Sequence, residues 1–152
     1  MKLSTQEEYG LRCLLALARA EGDGGLTIPE ISRAEGLTPS HVAKLMAIMR
    51  KHDLVASTRG QLGGYTLSRP ADCISVSSIL DCLGGRIYAD GFCERHSGLL
   101  GECVHETECL LRPLWNGIQT AVDSVVSRYT LADILNGSIN RPLVTLSESR
   151  RG

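Results

Sequence analysis

Apolar residues recur at helical spacing over residues 4–20, at Tyr9, Leu11, Leu14, Leu15, Leu17 and Ala18, behind a Ser4/Thr5 capping pair. The run Glu21-Gly-Asp-Gly-Gly25 has the composition of a turn. Thr27 then stands three positions before Glu30, the capping-box spacing, with Pro29 in the first turn; a short helix is predicted from there to Glu35, ending at Gly36-Leu37. Thr38 and Pro39 open a second helix that reaches His52, with Val42, Leu45, Met46 and Met49 on one face. Two short helices joined by Glu-Gly-Leu-Thr have the arrangement of a helix-turn-helix. Beyond Asp53 the period changes to two. Residues 54–58 and 65–68 alternate like strands around Arg59-Gly-Gln-Leu-Gly-Gly64, a hairpin with a glycine-rich tip.

Residues 75–83 read as another short helix before Gly84-Gly85, and residues 86–108, with no sustained period, as an ordered loop. From about 110 to 129 a longer helix carries Leu114, Ile118, Val122, Val125 and Tyr129 at spacings of 4, 4, 3 and 4. A stripe so regular on a helix leaving a small domain needs a cover, and the same helix of a second copy is the simple candidate. Leu114, Ile118, Val122 and Val125 are therefore the predicted dimer seam of a homodimer. Thr130 caps a brief segment, and the polar residues 137–152 are expected to form a flexible tail. The predicted fold is mainly α with a small β-hairpin wing. A winged helix-turn-helix domain covers 1–85, a cysteine-rich loop 86–112, and a dimerisation helix with a short final helix 113–136.

A chain of 152 residues with 43% hydrophobic and 22% charged residues is one soluble domain's worth, and 4% aromatics leave Leu, Ile, Val and Ala to fill the core. No apolar run approaches the roughly 18–20 residues that span a bilayer. Acids at Glu7 and Glu8 replace the basic start of a signal peptide, so a cytoplasmic location without membrane contact is expected. The net charge of −1 hides a division. Residues 38–69 carry Lys44, Arg50, Lys51, Arg59 and Arg69 against Asp53 alone, while residues 90–112 carry five acids against two arginines. The first region attracts phosphate and the second repels it.

The N-terminal turns of a recognition helix face base edges, and flanking groups hold the backbone. Thr38, Ser40, His41 and Lys44 are the candidates there, with the Ala43 methyl placed to touch a thymine methyl. At the wing tip Arg59, Gly60 and Gln61 are the candidates, an arginine there suiting a narrow minor groove. Helix-turn-helix pairs also serve as protein-interaction modules, but the basic wing directly after the second helix favours double-stranded DNA.

Six cysteines are many for a reducing compartment, where clustered thiols point to metal or redox chemistry. Three of them, Cys93, Cys103 and Cys109, form a C-x9-C-x5-C pattern. A zinc ion or an iron–sulfur cluster wants four ligands, so one more is required. His96 and His105 lie inside the loop, which keeps a zinc site of three cysteines and one histidine open; cofactor-free thiol sensing is a further alternative. Cys13 and Cys82 sit in apolar helices and read as core thiols, and Cys73 as a surface residue beside the wing. The chain has no nucleotide-binding glycine motif and no paired acid–base signature, so no enzyme is expected. An iron–sulfur electron carrier is a remote alternative.

The opening Met-Lys-Leu-Ser, the helix-turn-helix, the wing Arg59-Gly-Gln-Leu-Gly-Gly-Tyr65, the three-cysteine loop and Cys109-Leu-Leu-Arg-Pro-Leu-Trp115 resemble the IscR/NsrR-type winged-helix regulators over residues 1–136. The resemblance implies a homodimeric repressor that binds palindromic promoter sites. It also implies a 2Fe-2S or 4Fe-4S cluster on Cys93, Cys103 and Cys109 that senses cluster supply, iron, redox state or nitric oxide. The chain departs from the pattern at the fourth ligand. Where one branch has a histidine three residues after the last cysteine, this chain has Arg112, which cannot ligate iron. Where another branch has a histidine in the first helix, it has Arg12. NsrR-like members use a carboxylate from the partner's first helix, and the matching residue is Glu8. As a first-turn acid, Glu8 is equally what a helix dipole favours.

Overall fold

Polar side chains at the helix starts set the frame. Ser4 and Glu7, Thr27 and Glu30, and Thr130 and Asp133 form three reciprocal capping boxes, while Thr38 and Ser75 cap with the hydroxyl alone. The structure, a computed structural model, describes residues 3–60, 63–103, 105 and 108–139. Its helices are α1 (Thr5–Arg19), α2 (Ile28–Glu35), α3 (Pro39–Lys51), α4 (Val76–Leu83), α5 (Phe92–Arg95), α6 (Arg112–Val126) and α7 (Leu131–Leu135). Two strands, β1 (Val55–Thr58) and β2 (Gly64–Leu67), pair antiparallel with Val55 opposite Leu67 and Thr58 opposite Gly64.

The wing is tied to the helices at both ends. Leu26 adds a one-residue third strand, its N–H donating to the Tyr65 carbonyl at 2.9 Å and its carbonyl accepting from the Tyr65 N–H at 2.8 Å. Gly25 permits that approach: its φ is +93°, and a Cβ there would lie 2.5 Å from the Tyr65 carbonyl oxygen. At the base, Asp53 adopts φ 54° and its carbonyl accepts from the Ser68 hydroxyl and, at 3.1 Å, from Arg69 Nη1. Arg69 Nε also donates to the Cys73 carbonyl at 3.2 Å. One of the five cations of the basic region is therefore structural.

The core sits where α1, α2, α3, α4 and α7 meet, around Leu14, Ile31, Leu45, Met46, Ile79 and Leu131. The apolar stripe on α3 is buried as predicted, at Val42, Leu45, Met46 and Met49. Three local expectations change. The cysteine loop is not wholly irregular, since it holds α5 and a single helical turn at Gly98–Leu100. The long helix starts at Arg112 and stops at Val126, shorter at both ends than the predicted span of about 110 to 129. Tyr129 does not continue it; its carbonyl accepts from the Val76 N–H at 2.9 Å, and the Leu131 N–H donates to the Ile74 carbonyl at 2.8 Å. Those two bonds turn the chain back, so α7 packs on α1 and Leu131 is fully buried in the winged unit's core rather than standing apart with α6. The tail from residue 140 on lies outside the described residues. Among the described residues no helix is long and apolar enough to cross a membrane.

Candidate functional site

The exposed face of α3 follows from its buried side. With Val42, Leu45, Met46 and Met49 inward, Ser40, Lys44, Ala47 and Lys51 emerge on the opposite face and are exposed. Thr38 is also exposed, though its hydroxyl accepts from the His41 N–H as the helix cap. His41 and Ala43 depart from the exposed positions expected for them, since both are half-buried. The His41 ring meets Tyr9 of α1 edge-on, with centroids 5.3 Å apart. Behind it the Arg12 guanidinium lies over the Tyr9 ring at 5.4 Å and its Nε binds Glu35 at 3.0 Å. This chain of contacts joins α1 to the end of α2 and the start of α3. Arg59 and Gly60 are exposed at the wing, as expected; Gln61 lies outside the described residues.

The cysteine loop rests on α6. Gln119 is only 6% exposed; its Oε1 accepts from the Tyr88 N–H at 2.9 Å and its Nε2 donates to Asp123 at 2.7 Å. Asp123 also binds Arg86. Tyr88 packs on Phe92 with centroids 4.9 Å apart, and Phe92 stacks on His96 at 4.2 Å and leans toward Trp115 of α6 at 6.2 Å. His96 Nδ1 lies 2.7 Å from the Phe92 carbonyl, which it satisfies as a donor, leaving Nε2 as the side with a lone pair. A cavity of about 710 Å³ opens beside this stack, lined by Arg86, Tyr88, Phe92, Cys93, Glu94 and Arg112.

Cys93, Cys103 and Cys109 are all half-buried free thiols. Their donor chemistry suits soft metal centres. Among the described residues, however, no three His, Cys, Asp or Glu side chains come together as a metal-holding group. His105 and Glu8 are both exposed. Arg12, committed to Glu35, is no candidate ligand. Cys13 is fully buried, and that burial pushes its thiol from the usual 9.0 up to about 11, with Glu35 adding to the shift and Arg12 opposing it. Burial likewise raises the Cys82 thiol, whereas exposed Cys73 is raised by its hydrogen bond to Asp72.

On the predicted seam, Leu114 is 54% exposed, and Ile118 and Val125 are half-buried. Val122 has a second environment: it lines an apolar groove of about 410 Å³ with Leu3, Leu11, Leu80, Ile87 and Val126, between α1, α4 and α6. Gln119, Arg86 and Asp123 were not singled out from the sequence. The available signal was a polar residue on the inner face of α6, one turn after Trp115.

The family model for Rrf2, described as an iron-dependent transcriptional regulator, matches residues 3–137. The IscR regulator of Sodalis glossinidius is 30% identical over 136 residues, covering 90% of this chain and 79% of that protein. Among solved structures, IscR of T. potens superposes with a TM-score of 0.70 at 28% identity, covering 91% of this chain and 88% of its own. CymR, the global cysteine regulator of B. subtilis, gives 0.71 at 30% identity, covering 90% and 98%. These relatives are regulators of transcription and not enzymes, and they share the winged-helix architecture described above. The chain belongs to the Rrf2 family and is a DNA-binding transcriptional regulator.

Proposed function

We propose that the protein is a homodimeric repressor of palindromic promoter sites whose affinity is set by an iron–sulfur cluster on Cys93, Cys103 and Cys109. The observation that carries this reading is the set of three half-buried free thiols on a loop docked against α6. When bound, such a cluster supplies a centre that responds to oxidants, iron supply or nitric oxide. The chain's own part is to offer three thiolates, with Glu8 of the partner subunit adding a carboxylate oxygen and His105 or His96 Nε2 in reserve. The seam Leu114, Ile118, Val122 and Val125 would hold two copies so that the paired α3 helices meet half-sites about one helical turn apart.

A second reading keeps the thiols free of cluster, as zinc ligands or as cofactor-free sensors. It is favoured by the likeness to a cysteine regulator. Anaerobic purification decides between them. Visible absorption bands lost on replacing any one of the three cysteines with Ala support the cluster. A colourless protein, with or without one bound zinc, refutes it. Glu8→Ala should leave a cluster that assembles but decays faster in air. If its decay matches wild type while His105→Ala or His96→Ala loses the bands, a histidine is the fourth ligand.

A further inference from the structure

We propose that Gln119 is the positioning residue that couples the cysteine loop to α6, so that the state of Cys93 is transmitted to the helix read above as the dimer seam. The inference rests on the regulatory reading of the loop cysteines. Gln119 and Ser32 are the two buried polar residues among those described. A primary amide is costly to bury unless both its ends are bonded, and here both are: Oε1 by the Tyr88 backbone and Nε2 by Asp123. Asp123 in turn holds the Arg86 side chain. Residues 115, 119 and 123 are spaced four apart on one face of α6, and all three engage the segment just before Cys93. Tyr88 passes the contact to Phe92, whose next neighbour in the chain is Cys93.

Packing alone does not require an amide at this position. Val122 and Val126, the next inner-face residues, are apolar, and a methionine would fill the same space. What the amide adds is an acceptor for a loop N–H that otherwise loses its partner. Any displacement of residues 86–93 must therefore take Gln119 and its helix along, or leave the buried amide without its Tyr88 partner. Ile118, half-buried, is the neighbour of Gln119 on α6, so a small rotation of the helix displaces this seam residue as well. From Gln119 to Cys93 the path is contiguous: the hydrogen bond to Tyr88, the Tyr88–Phe92 ring contact and the peptide bond to Cys93.

The test is Gln119→Met, near-isosteric and without the hydrogen bonds, in the full-length protein. In the cluster-free state the emission of Trp115, the chain's single tryptophan, should shift, and hydrogen exchange over residues 86–93 should speed up while α1–α4 stay protected. Wild-type DNA affinity should differ between loop states by about 5–150-fold, the usual span of allosteric coupling. In Gln119→Met that ratio should fall to within about twofold while the visible spectrum is unchanged, a tenfold loss of coupling being the scale at stake. A wild-type ratio in the variant, or unchanged exchange at Tyr88, overturns the proposal, as does loss of the cluster itself, which would make Gln119 part of the binding site. Should wild type take up no cluster, the cluster reading fails separately. Thiol-reduced and thiol-oxidised protein then serve as the two states, and equal DNA affinity of wild type in both overturns the coupling. If Gln119→Met does not fold, Asp123→Asn must lower the ratio, and an unchanged ratio refutes the coupling.

Discussion

Gly10 packs α1 against α4, and a single added methyl group tests that contact. A Cβ at position 10 would lie 2.4 and 2.7 Å from the two methyl carbons of Leu83 and 3.1 Å from its Cγ. Carbon atoms prefer about 3.5–4.0 Å, so the Leu83 side chain would have to retreat by roughly 1 Å. Leu83 is only 3% exposed, so the surrounding core opposes that retreat. Gly10→Ala gains about 1 kcal/mol of helix propensity. Against that, overpacking costs about 1–3 kcal/mol, so the net effect is a loss of up to about 2 kcal/mol. Leu83→Ala alone removes a buried side chain and should cost about 2–5 kcal/mol. In that background the added methyl enters vacated space, and Gly10→Ala should become stabilising by about 1 kcal/mol. Urea denaturation of the four proteins, followed by circular dichroism, closes the cycle. The consequence is also functional, because α1 carries Glu8 and α4 leads directly into the cysteine loop. Additive effects, or a Gly10→Ala variant more stable than wild type on its own, would refute the close α1–α4 contact.

Arg59→Ala should weaken specific DNA binding by about 1–3 kcal/mol if the wing arginine reads bases, whereas Lys44→Ala should lower the salt slope by about 1 if it neutralises one phosphate. Isotherms at several salt concentrations that leave both variants unchanged would remove these side chains from the interface. Ile118→Glu should shift the protein toward monomer in sedimentation, since a two-fold axis through this region would bury like charges; a dimer of undiminished affinity refutes the seam. Val122→Glu is a less clean probe because Val122 also lines the groove with Leu11 and Leu80. Cys13 should resist alkylation in the native state while exposed Cys73 reacts, and labelling of both at one rate would contradict the burial of Cys13. Its folded-state thiol titrates near 11 against the usual 9.0, so folding favours the neutral form. The associated stability is complete below pH 9 and is lost as the pH rises toward 11, visible as a falling urea midpoint over that window.

The helix-turn-helix, the wing and the helix starts were legible in the sequence because each rests on a local rule. Capping pairs such as Thr27 with Glu30 act within one turn, and the period of Val42, Leu45, Met46 and Met49 encodes a buried face without reference to the rest of the fold. The spacing of the three loop cysteines is likewise local, so their candidacy was readable from the chain alone. Tertiary contacts decided the rest. Whether His41 faces DNA or Tyr9 depends on where α1 crosses α3, and the two residues lie far apart in sequence. Arg69 counts as a basic-region charge until the wing's base turns it onto the Asp53 and Cys73 carbonyls. The stripe through Tyr129 predicts a longer helix, but two backbone bonds to Val76 and Ile74 end it and fold α7 into the first unit's core. Gln119 looks like any polar residue on a helix. Only the approach of residues 86–88 buries it and gives both ends of its amide a partner, because a hydrogen bond across 31 positions is set by packing and not by period.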